Sequence, residues 1–119
     1  MIDRFWIEIP DGTSACGWGN YPAATNCQYL QELIMRMKQN FLVDVSIFTS
    51  RVLWIDIFKD QLGCPQVSNS LLWWTPDTLP SPADLSNYTK IGGWDRPYAK
   101  LYGVTGLCST FIFASYYEG

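Results

Sequence analysis

Residues 41–48, Phe-Leu-Val-Asp-Val-Ser-Ile-Phe, are apolar at nearly every position. A strand of this kind is covered on both faces, as in a parallel sheet flanked by helices. The segments on either side supply such helices. Upstream, Tyr29, Leu30, Leu33, Ile34 and Met37 fall on one face of a predicted helix over 26–39, opened by Thr25 and Gln28 as a capping box. Downstream, Thr49 or Ser50 caps a second predicted helix over 51–62, with Leu53, Trp54, Ile57 and Phe58 on one face and Gly63 as its stop.

The rest of the chain extends this alternation. Residues 4–9 form a short strand stopped by Pro10-Asp11-Gly12, and a loop rich in Gly, Ser, Asn and Pro follows over 13–24. Residues 70–75, Ser-Leu-Leu-Trp-Trp-Thr, are a buried strand, and 76–89 an irregular loop. After Ile91-Gly92-Gly93-Trp94 comes a strand over 98–102, a turn from Gly103 to Gly106, and a last strand over 109–117. Strand, helix, strand, helix, strand, strand, strand is an α/β order that implies right-handed crossovers and a parallel sheet. About five strands cannot close an eight-stranded barrel, so the open edges invite self-association.

A chain of 119 residues is one domain, 1–119, or part of one. Its net charge of −3, with eight scattered Lys and Arg, argues against nucleic acid and against an anionic membrane surface. No stretch reaches the roughly 18 apolar residues of a membrane span, and the start has no signal-peptide pattern. The absence of histidine removes Ser-His-Asp and Cys-His schemes and any His-based zinc site. No metal or cofactor is implied. Cys16, Cys27, Cys64 and Cys108 are widely spaced, which suits two disulfides in an oxidising compartment, with three connectivities open, or else four buried thiols. Asn87-Tyr88-Thr89 is an N-glycosylation sequon, meaningful if the chain enters the secretory route.

Two tryptophans leaving a strand beside Asp77 suit a sugar-binding cleft, because pyranose C–H faces pack on aromatic planes while a carboxylate takes the hydroxyls. The candidate substrate-binding set is Trp73, Trp74, Asp77, Lys100 and Tyr102. The competing expectation is plain packing: neighbouring strand residues face opposite ways, Asp77 beside Pro76 is a common turn residue, and Trp94 packs under its loop.

Several passages resemble the C-terminal half of glycoside hydrolase family 25 lysozymes, above all the nematode and amoebozoan (invertebrate or protist-type) branch. Phe5-Trp6-Ile7-Glu8-Ile9 is similar to the strand that ends in the family's Asp-x-Glu, and Val45-Ser46-Ile47-Phe48-Thr49-Ser50 with Trp54 to its next strand and helix start. Leu72-Trp73-Trp74, Gly92-Gly93-Trp94, Pro97, Lys100, Tyr102 and Leu107-Cys108 resemble its later signature. The resemblance implies about half of a (β/α) barrel of the TIM type and cleavage of the β-1,4 bond after N-acetylmuramic acid in bacterial peptidoglycan. It also implies an extracellular or lysosomal setting in defence or digestion.

The resemblance implies an impaired site as well. Glycoside cleavage needs a carboxyl to protonate the leaving oxygen and a second group to answer the charge at the anomeric carbon. Here Glu8 stands at the family's Asp position and Pro10 at that of the acid, while Ile112-Phe113 replaces its last Val-Asp. Losing a general acid costs ~10²–10⁴-fold in rate. A two-residue slip keeps the same strand face and makes Glu8 the one catalytic candidate; its bland alternative is a solvated strand-end carboxylate. The expected function is therefore a lysozyme-like muramidase with weakened catalysis. The alternatives are a non-catalytic glycan-binding pseudoenzyme or a truncated fragment without independent function.

Overall fold

A computed structural model describes residues 4–9, 17–107 and 110–117, and for 104–107 and 110–114 it describes the backbone. The elements are β1 (Arg4–Glu8), α1 (Ala23–Phe41), β2 (Asp44–Ser50), α2 (Arg51–Phe58), β3 (Leu72–Thr75), β4 (Ala99–Leu107) and β5 (Thr110–Tyr117), with 3-10 turns at Trp18–Asn20 and Pro65–Val67. One sheet has the order β1-β2-β3-β4-β5; the first four strands are parallel and β5 is antiparallel to β4. The two helical crossovers and the helix-free later strands match the order expected from sequence.

The boundaries shift for local reasons. Helix α1 starts after Pro22 rather than at the Thr25–Gln28 box, because the Pro22 carbonyl accepts the Asn26 N–H at 3.0 Å. It runs on to Phe41, whose ring meets Phe5 edge-on at 5.3 Å, and stops where Leu42 turns left-handed. The strand expected over 41–48 thus begins at Asp44. Ser50 caps α2 as expected, its Oγ accepting from the Leu53 N–H at 3.2 Å. The helix ends at Phe58 with Lys59 left-handed (φ 59°), well before Gly63. Gly103 and Gly106 do not turn the chain: pairing with β5 carries β4 through them to Leu107.

Side chains alternate across the sheet. On one face Val45, Ile47, Leu72 and Trp74 pack with Leu30 and Ile34 of α1 and Trp54, Ile57 and Phe58 of α2 into the main core. Trp54 is fully buried, donates Nε1–H to the Gly63 carbonyl at 2.8 Å, and lies between Phe58 and Trp94. Asn26, also buried, donates to the carbonyls of Trp18, Tyr21 and Ile57, so a single amide joins the 3-10 turn to both helices. On the opposite face Phe48 and Trp73 lie 4.2 Å apart, and Trp6 reaches both Trp73 (5.7 Å) and Tyr98 (6.5 Å). These rings form a second aromatic cluster on the face turned away from α1 and α2.

Of the cysteines, Cys27 of α1 and Cys64 after α2 form a disulfide, 37 residues apart. Cys16, Cys108 and Pro10 lie outside the described residues. Among the described residues no helix is long and apolar enough to cross a membrane. Closing a loop of this length restricts the unfolded chain by about 4 kcal/mol in the loop-entropy account. Replacing Cys27 and Cys64 together by Ser is expected to lower unfolding free energy by about 2–4 kcal/mol in urea titrations; an unchanged midpoint would contradict it.

Candidate functional site

In parallel α/β sheets the carboxyl ends of the strands form the usual ligand edge. At the end of β3 the chain leaves through Pro76 and Asp77 into the loop of 76–98, and beside it β2 passes directly into α2 through Ser50 and Arg51. Between them opens a cleft of about 420 Å³ lined by Arg51, Gln61, Trp74, Pro76, Asp77, Thr78, Asn87 and Thr89. Arg51 donates from Nε (2.9 Å) and Nη2 (2.7 Å) to the same oxygen of Asp77, Oδ2. Both partners are partly solvated, with side chains 36% and 46% exposed, so the pair adds about 0.2–1 kcal/mol of stability. Its larger effect is geometric, fixing a carboxylate at the cleft wall.

The loop that forms the other wall is held from beneath. Lys100 of β4 has no exposed surface, yet its ammonium donates to Pro82 O (2.7 Å), Asp84 O (2.9 Å) and Asn87 Oδ1 (2.7 Å) and lies 5.1 Å from the Trp74 ring centroid. Burial lowers the Lys100 pKa, a shift that the charge of Asp84 partly opposes. Ser86 donates to Asp84 from its hydroxyl and its backbone N–H, which lowers the pKa of that carboxyl. Tyr88 packs edge-on against Trp74 at 5.1 Å, donates to Trp94 O (2.7 Å) and accepts from Ile91 N–H (3.1 Å). Burial raises its pKa above the ordinary value of 10.0.

The Gly92-Gly93-Trp94 turn closes this layer. Gly92 is left-handed (φ +53°), and a Cβ on Gly93 would stand 2.8 Å from Ser68. Trp94 is buried, donating Nε1–H to Ser70 O at 2.7 Å. It packs beneath its loop, as the sequence suggests.

The candidate residues are therefore divided. Trp74 and Asp77 line the cleft, with Lys100 behind Trp74. Trp73 faces the side turned away from α1 and α2, where its Nε1 is buried and has no hydrogen-bond partner. Tyr102 sits at a bulge, the extra residue between the Leu101–Ser115 and Gly103–Ala114 pairs, and its carbonyl accepts from Ser81 N–H at 2.9 Å. Glu8 is exposed at the end of β1 and borders a different pocket, of about 550 Å³, with Trp18, Tyr21, Thr25 and Tyr29. Glu8 and Asp77 leave strands separated by β2 and line different cavities. Arg51 has no functional signal of its own in the sequence, and Asn87 is singled out there only as the head of a sequon; the ion pair across 26 residues and the bond to Lys100 tie them to the cleft. Among the described residues no group of three or more His, Cys, Asp or Glu side chains could hold a metal ion.

Two outcomes test this arrangement. Replacing Lys100 with Met leaves three oxygens without their shared donor, and is expected to cost about 1–3 kcal/mol and to speed proteolytic cutting within 76–89; unchanged stability and cutting would refute the clamp. For Tyr88, the raised pKa means that its contribution is intact below pH 10.0 and is lost as pH rises through the higher folded value. Tyr88→Phe is expected to flatten the fall in stability above pH 10 seen in denaturant titrations; an equally steep fall in the variant contradicts that assignment.

A family model described as lysozyme-like protein 1 matches residues 1–102. A search of curated proteins and a search of solved structures each returned no match.

Proposed function

The chain belongs to the lysozyme-like protein 1 family, and from that premise we propose that it is a muramidase-type protein directed at bacterial peptidoglycan, with weakened cleavage. In this proposal it is a relative of glycoside hydrolase family 25, nearest its nematode and amoebozoan branch, and its five strands represent part of a (β/α) barrel. The glycan lies in the cleft at the carboxyl end of β3. An extracellular or lysosomal setting goes with this proposal and accords with the Cys27–Cys64 disulfide. Self-association through the open edge of β1 goes with it too.

The observation that carries glycan binding is the convergence of Arg51, Asp77, Asn87, Thr89 and Gln61 around the rim of Trp74. Both Arg51 bonds fall on Oδ2 of Asp77, which leaves Oδ1 to accept a sugar hydroxyl. The Asn87 and Gln61 amides and the Thr89 hydroxyl suit acetamido and hydroxyl groups. Lys100 acts here as a positioning residue, setting the wall through Asn87. Trp73 and Tyr102 extend the surface only if the glycan also reaches the face turned away from the helices.

Weak cleavage is supported by the separation of Glu8 from Asp77. A pair that cleaves a glycosidic bond flanks that bond within one groove, whereas these two carboxylates border different pockets. Insoluble peptidoglycan should retain the wild-type chain, and Asp77→Ala should weaken retention about tenfold, the loss of one charge-assisted hydrogen bond. Equal retention of the two would remove the cleft from the account. In a cell-wall turbidity assay Glu8→Gln is expected to match the wild type, and a wild-type rate well above that of the variant would instead make Glu8 a working acid.

A further inference from the structure

The sequon Asn87-Tyr88-Thr89 forms part of the cleft wall. Asn87 and Thr89 are exposed and both line the cleft, while the intervening Tyr88 is anchored inward on Trp74, Trp94 O and Ile91 N–H. The Asn87 side chain is tied through its carbonyl oxygen, which accepts from Lys100 at 2.7 Å. Its amide nitrogen donates to Ser81 Oγ at 3.2 Å. An amide nitrogen has two hydrogens. Substituting one of them leaves the other for Ser81 and leaves Oδ1 with Lys100. The disulfide between Cys27 and Cys64 fits an oxidising compartment, where such sequons meet the enzyme that modifies them.

We propose that Asn87 is an N-glycosylation site whose first sugars lie over the mouth of the cleft and compete there with external glycan. In the attachment step Asn87 Nδ2 attacks the anomeric carbon of an oligosaccharide carried on a lipid pyrophosphate. The C1–Nδ2 bond forms, the C1–O bond to the pyrophosphate breaks, the lipid pyrophosphate leaves with the electron pair, and the nitrogen loses one proton to a base. The attached oligosaccharide begins with two β-1,4-linked N-acetylglucosamines, the same linkage and acetamido chemistry as a cell-wall glycan. Tethered at a residue that lines the cleft, that pair is present at an effective concentration on the order of millimolar. The competition half of the proposal rests on the glycan-binding function above; the attachment half does not.

The test uses the full chain, secreted from eukaryotic cells behind a leader. The expected product carries a mass gain removed by an N-glycosidase that converts Asn87 to Asp. The gain disappears in Asn87→Gln and in Thr89→Ala and persists in Thr89→Ser. Thr89→Ala keeps Asn87 on Lys100, which separates loss of the sequon from loss of the clamp. A secreted, disulfide-bonded chain with unmodified Asn87 overturns the site. Trimming the glycan to a single sugar is expected to raise retention on insoluble peptidoglycan severalfold, and equal retention before and after trimming overturns the competition. If the chain with a mass gain is retained in neither form, the cleft's glycan binding falls while attachment at Asn87 stands.

Discussion

A buried ammonium must be given acceptors, because desolvating it without them costs far more than a domain of this size can absorb. Lys100 finds its three on one stretch of loop, at Pro82, Asp84 and Asn87, and lays its charge against the ring of Trp74. A segment with no helix or strand of its own is thereby fixed to the sheet. That constraint determines where Asn87 and Thr89 stand, and hence whether the space above Trp74 is a cleft or open solvent. Tyr88 adds a second anchor from the same loop, so alternate residues point into the protein and out to the rim.

The other wall depends on a direct strand-to-helix passage. Ser50 ends β2 and caps α2, which leaves Arg51 no freedom to move away from the end of the neighbouring strand. Asp77 leaves β3 two residues past its last paired position and meets that guanidinium. Parallel pairing brings both to one edge; an antiparallel β3 would have put Asp77 at the other end of the sheet. Glu8, two strands away, belongs to the same edge but not to the same cavity. The two carboxylates therefore do not flank a common groove.

Much of the architecture was legible because it rests on local periodicity. The apolar run of β2 and the one-sided faces of α1 and α2 give the strand–helix alternation, and Ser50 gives a cap. Boundaries were less legible where tertiary contacts override propensity. Phe41 reads as strand but extends α1 to reach Phe5, and Gly103 and Gly106 read as a turn but are held extended by pairing with β5. At the site, the pair Trp73-Trp74 was visible as a feature, and strand alternation splits it between two faces. Cys27 and Cys64, Arg51 and Asp77, and Lys100 and Asn87 are contacts across the chain that no spacing rule specifies. Lys100 in particular reads as a member of the substrate-binding set, and only its burial and its three bonds to the loop show it to be a structural clamp.

The most direct measurement is a backbone amide NMR titration with a soluble β-1,4-linked peptidoglycan fragment. The account predicts shifts concentrated at Arg51, Asp77, Asn87 and Thr89, with Glu8 and its pocket unaffected. Shifts centred on Glu8, Trp18 and Tyr29, or none at all in the cleft, would contradict it.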